Sequence, residues 1–173
     1  ADQLSDRLDC AALDLPGFGA SEPPADHDYT LARHARAAAA VADALFPGRR
    51  VHLFGNSMGG SVAVDLAARS PERVATLCLV SPALPARIPR RTNMHIPVMA
   101  VPRVGEALFG RYQGVDVARR VQATYDLCFA VPARLQDQRR AEAEEEMRRR
   151  DGLPWVREAF IGIAGAHIQA KNS

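Results

Sequence analysis

The stretch from Val51 to Val80 constrains this chain more than any other. Val51-His-Leu-Phe54 is short and apolar, and reads as a buried strand. It runs directly into Gly55-Asn-Ser-Met-Gly-Gly-Ser61. A helix over about 58–69 follows, with Val62, Leu66 and several alanines on one side, and Ser70-Pro71 ends it. Val74–Val80 is a second apolar run, closed by Ser81-Pro82. Two strands joined through a helix by short turns pair in parallel, with the helix on one face.

The flanks extend this pattern. Asp9-Cys-Ala-Ala-Leu-Asp14 reads as a further buried strand, running into the turn-rich Leu15-Pro-Gly-Phe-Gly19. Residues 1–7 read as a helix tail and 20–29 as polar loop. Thr30 can cap a helix over about 31–46, whose Leu31, Ala35, Ala38, Val41, Ala42 and Leu45 recur at helical spacing. Pro47-Gly48 stops it. The fold class is therefore α/β, with parallel strands at about 9–14, 51–56 and 74–81. Beyond residue 82 the character changes. A proline-rich stretch leads into helical segments at about 103–109, 115–130, 133–150 and 154–170. The third of these carries Glu144/Arg148, Glu145/Arg149 and Glu146/Arg150 at i, i+4, the pattern of a solvated face.

The glycine-flanked serine is the chemical feature. In G-x-S-x-G between a strand and a helix, the chain must turn sharply, and the serine is pushed into a strained backbone that lifts its Oγ above the sheet. Gly55 and Gly59 are expected to be glycine because a Cβ at either would collide with the neighbouring strand or helix. The helix N-terminus supplies unpaired N–H groups and a positive dipole end. The Met58 N–H is placed for an oxyanion formed during acyl transfer. The plainer alternative is a glycine-rich turn with a capping serine.

At this point the chain resembles the α/β-hydrolase superfamily, in its serine-nucleophile branch. LDLPGFGAS (13–21) is similar to the loop after the family's fourth strand. VHLFGNSMGGSVAVDLAARSPERVATLCLVSPA (51–83) is similar to its fifth strand, nucleophile elbow, following helix and sixth strand. The resemblance implies a partial hydrolase core over 1–82 and a helical cap over 83–173. It implies Ser57 as nucleophile, the Met58 backbone N–H in the oxyanion hole, and Gly55 and Gly59 as structural elbow residues. The family's third strand lies between its fourth and fifth and is not recognisable here. The strand at 9–14 is therefore expected to leave a gap or to pair irregularly, and the chain alone to be poorly stable.

The remaining triad members are not apparent. In the family they follow in the order Ser, Asp or Glu, His. His167 and His95 lie in tail-like and proline-rich sequence, His27 and His34 flank the first complete helix where exposure is ordinary, and His52 is expected to pack. Asp116, Asp126, Asp137 and Asp151 fall on or beside helices and are expected to be solvated, while Asp14 should hydrogen-bond the turn after it. The expectation is a fragment whose acid and base lie outside the 173 residues.

Composition bounds the function classes. The chain is 47% apolar and 24% charged with formal net charge +2, which argues against a dedicated nucleic-acid binder. No apolar run approaches a membrane span, and a cytoplasmic protein is expected. Cys10, Cys78 and Cys128 are far apart and read as buried free thiols; the five histidines show no metal spacing, so neither metal nor other cofactor is expected. The leading reading is a serine hydrolase of an ester-type or related carbonyl substrate that is small and apolar. Phe109, Tyr112, Tyr125, Phe129, Trp155 and Phe160 are candidate substrate-facing or cap-core aromatics. The alternatives are a carbon–carbon hydrolase of ring-fission products and a non-catalytic ligand-binding relative. The oligomeric state is left open.

Overall fold

The computed structural model describes residues 6–84 and 98–169. The chain divides into two compact units, residues 1–89 with 166–173, and residues 90–165.

In the first unit, helix α1 (Leu31–Leu45) starts where the sequence places a cap. The Thr30 hydroxyl accepts from the Arg33 N–H at 3.2 Å, and Asp28 Oδ1 in turn accepts from the Thr30 N–H at 2.9 Å. Strand β1 (Val51–Asn56), helix α2 (Met58–Arg69) and strand β2 (Val74–Val80) follow, with a 3-10 turn at Pro71–Arg73 between the last two. The strands pair in parallel, Leu53 opposite Leu77 and Phe54 opposite Cys78, with a register shift between Val51 and His52. Helices α1 and α2 pack on each other, and α2 on both strands. The core is Ala35, Val62, Leu66 and Val74, with Leu15, Leu31 and Leu53 packed around it.

The α/β fold class stands, but its first expected strand does not form. Residues 9–14 carry no ladder, and the sheet of the described residues has two strands. A strand is held by its neighbour's backbone groups, and no strand of the described residues lies beside this stretch. Asp9 instead pairs with Arg49 at 2.9 Å. The other face of the β1–β2 sheet carries exposed side chains. His52, Phe54, Thr76, Cys78 and Val80 are exposed on it. His52 therefore does not pack; its Nδ1 lies 2.7 Å from Thr76 Oγ1. Nor are the cysteines buried. Cys10 lies on the unpaired stretch, Cys78 on that sheet face and Cys128 at a helix end, and all three are exposed free thiols.

The second unit is helical: α3 (Val104–Gln113), α4 (Val117–Cys128), α5 (Asp137–Asp151) and most of α6 (Val156–Gln169). Met99, Phe109 and Ala164 form its small core, with the Phe109 and Phe160 rings 5.3 Å apart. Asp116 is not merely solvated: it caps α4, accepting from the Arg119 N–H. Asp151 is likewise engaged. Its carboxylate receives two hydrogen bonds from the guanidinium of Arg120, which is 3% exposed. Along α5 the Arg148–Glu144 pair forms at i, i+4 as the sequence predicts, while Arg149 also reaches Glu146 at i, i+3.

Candidate active site

The site is built where β1 hands the chain to α2. Ser57 has φ 49° and ψ −119°, a backbone region that L residues seldom occupy. Its N–H donates to the Val80 carbonyl at 3.1 Å, so the turn is tied to the end of β2. Its carbonyl accepts from the N–H groups of Gly60 at 3.0 Å, Ser61 at 3.3 Å and Ala83 at 2.9 Å. The backbone is thus fixed on both sides while the residue itself remains exposed. The Ser57 hydroxyl makes no capping bond and no hydrogen bond to any described residue.

The glycine requirement is real but differs from the expected pair. A Cβ on Gly55 would lie 2.6 Å from the Gly59 carbonyl oxygen and 2.7 Å from the Gly60 Cα. A Cβ on Gly59 would meet nothing within 4 Å, so steric need does not explain that glycine among the described residues. Gly60 is the second tight position: a Cβ there would lie 2.8 Å from Pro82 Cβ. The reason is helical geometry. Gly60 faces the strand ends and the segment after β2, whereas Gly59 sits one position round the first turn, away from them.

The N-terminal turn of α2 leaves donors over. The Met58 N–H has no intrahelical acceptor by position and forms no hydrogen bond with the described residues. It sits at the positive end of the α2 dipole, beside the serine. An anionic oxygen held by this N–H would be stabilised where water is excluded.

The structure brings no described histidine or carboxylate into hydrogen-bond contact with the Ser57 hydroxyl. The side chains of His95 and His167 lie outside those described. Asp14 does what the sequence suggests, accepting from the Ala20 N–H at 2.9 Å while Ser21 donates to its carbonyl. His34 was expected to be exposed and is instead 0% exposed. The loop before α1 folds over it: the Phe18 ring meets it edge-on at 5.9 Å and the Tyr29 ring lies at 6.4 Å. Neither of its ring nitrogens has a hydrogen-bond partner among the described residues, and burial lowers its pKa from the ordinary histidine value. No group of three or more potential metal ligands occurs among the described residues.

A family model described as the alpha/beta hydrolase fold matches residues 1–132. The chain belongs to the alpha/beta hydrolase family. The match takes in both strands, the elbow and the first helices of the second unit. A 2-hydroxymuconate semialdehyde hydrolase of Pseudomonas putida is 48% identical over 69 residues, 40% of this chain and 24% of that protein. A pimeloyl-[acyl-carrier protein] methyl ester esterase of Aeromonas hydrophila subsp. hydrophila is 38% identical over 86 residues, 49% of this chain and 32% of that protein. A haloalkane dehalogenase of Psychrobacter cryohalolentis is 39% identical over 75 residues, 43% of this chain and 24% of that protein. The matched stretches span about a quarter to a third of these relatives. No solved structure matches the chain. No helix of the described residues is long and apolar enough to cross a membrane.

Proposed function

We propose that this chain carries the nucleophile of a serine hydrolase acting on small, apolar ester-type or related carbonyl substrates. One observation carries the reading: an exposed serine in left-handed backbone at a strand end, its hydroxyl and the adjacent Met58 N–H both without a hydrogen bond among the described residues. In the proposed reaction Ser57 Oγ attacks the carbonyl carbon while a histidine base takes its proton. The developing oxyanion accepts from the Met58 N–H, and the leaving group departs with the proton that the base returns. Water, activated by the same base, then releases the acyl group. The base and its acid are assigned to residues outside the 173, in the part of the fold that the matched stretches of the relatives do not cover. We assign the helical region over 83–173 to a cap region, and the protein to the cytoplasm.

The second reading is a carbon–carbon hydrolase, favoured by the 48% identity to the 2-hydroxymuconate semialdehyde hydrolase. Carbon–halogen displacement in the dehalogenase branch uses a carboxylate nucleophile, and this chain has Ser57 at that position. The test is made on the full-length protein with a fluorophosphonate probe, p-nitrophenyl esters and a vinylogous diketone ring-fission product. Labelling at Ser57, lost in Ser57→Ala, is expected, together with ester turnover. Turnover of the diketone alone selects the second reading. Undiminished labelling of Ser57→Ala removes Ser57 as the nucleophile, and a wild type that neither labels nor turns over either substrate is a non-catalytic binding protein.

A further inference from the structure

The segment after β2 is bound to the elbow more thoroughly than a connecting turn needs. Ser81 has φ 43°, an unusual conformation for a residue other than glycine. Pro82 lies against Gly60 so closely that no Cβ fits between them. Both backbone groups of Ala83 are engaged by the elbow. Its N–H donates to the Ser57 carbonyl at 2.9 Å, and its carbonyl accepts from Ser61 Oγ at 2.6 Å. The Ser61 N–H also points to the Ser57 carbonyl, at 3.3 Å. The three residues therefore close a ring of hydrogen bonds through Ser57 C=O, the Ala83 peptide groups and Ser61.

Ser61 is 3% exposed and sits one helical turn after Ser57. Alanine would serve as well for helix formation and packing at such a place. The hydroxyl adds one thing: it holds the far side of Ala83, and with it the N–H that fixes the Ser57 carbonyl. That matters because Ser57 is in a conformation it would leave if released. A nucleophile displaced by about 1 Å loses on the order of a hundredfold in rate.

We propose that Ser61 is a positioning residue for the Ser57 nucleophile, acting through the Ala83 peptide; the inference rests on the proposed role of Ser57. The test compares full-length wild type, Ser61→Ala, Ser61→Thr, Ser57→Ala and Val74→Ala, the last a truncation in the core away from this ring. The readouts are the fluorophosphonate labelling rate, kcat and KM for a p-nitrophenyl ester, and the thermal midpoint. Ser61→Ala is expected to label about tenfold more slowly and to lose kcat by a similar factor with KM unchanged. Ser61→Thr, which keeps the hydroxyl, should recover most of the rate. Val74→Ala should lower the midpoint at least as far yet label at the wild-type rate. Wild-type labelling by Ser61→Ala, or equal slowing in Val74→Ala, overturns the inference while Ser57→Ala remains inert. Labelling that persists in Ser57→Ala overturns both this inference and the reading beneath it.

Discussion

Gly59 and Gly60 are chemically identical neighbours, and the fold treats them differently. The motif makes Gly59 prominent because it completes G-x-S-x-G, yet the close approach falls on Gly60, which the pattern leaves unmarked. Which glycine faces the strands depends on the phase of α2 against the sheet, and that phase is not written in the motif. Gly60→Ala is expected to destabilise by about 1–3 kcal/mol through overpacking against Pro82. Gly59→Ala should be neutral or gain up to about 1 kcal/mol from helix propensity. Urea denaturation of the two variants separates these outcomes. His34 was illegible for a related reason. A histidine at the start of a helix is ordinarily wet, and only the fold of the preceding loop encloses this one. Its neutral form is the one the fold accommodates, so its folded pKa lies below the unfolded value; Asp28 opposes that lowering and Arg33 adds to it. The sign follows: this contribution to stability is complete above the unfolded pKa, near 6.5, and is lost as pH falls toward the folded one. His34→Phe is expected to flatten that part of the stability curve between about pH 7 and 5, measured by urea denaturation.

Elements were more legible than single residues. Strand β1, helix α2 and strand β2 lie where apolar runs, Ser70-Pro71 and Ser81-Pro82 place them, and Thr30 caps α1 as its side chain allows. Local chemistry decides all of these. The stretch at 9–14 has the same apolar character as β1 but depends on a partner strand, and that dependence is non-local. Helix pairing was equally hidden. Arg120 and Asp151 are 31 residues apart, yet they join α4 to α5 through two hydrogen bonds, with the Arg120 guanidinium 5.0 Å over the Tyr112 ring. The Arg120 hydrogen bond holds the Asp151 carboxyl below its usual pKa despite opposing burial. Asp151→Asn leaves a buried cation without its counter-charge. A loss of about 2–3 kcal/mol is expected, somewhat under the range for fully buried pairs because the carboxylate is partly solvated. Chemical denaturation checks it. Pairs on the outer face of α5, such as Glu144–Arg148, contribute a few tenths of a kcal/mol at most.

At the scale of the whole molecule, the sequence separates the chain's α/β character from its helical continuation, but it does not say which apolar surfaces find cover. Phe54 is 73% exposed, and Cys78 stands opposite it on the same face. An alternating strand predicts two faces, not which of them meets another layer. The covered face has a history of its own. Among the described residues, the hydrogen bonds that shape the serine's turn all lie within residues 51–83: two strands, one helix and the ring that runs through Ser61 and Ala83. Contacts so close along the chain close quickly, ahead of pairings that must wait for distant segments. Pulse-labelled hydrogen exchange during refolding is expected to protect the α2 amides no later than those of Leu53–Gly55 and Leu77–Val80, whose parallel pairing joins residues about two dozen apart, and earlier protection of the strands would contradict this. The conformation of Ser57 is then inherited from one strand–helix–strand unit, and a change elsewhere in the molecule reaches that turn only by disturbing this unit.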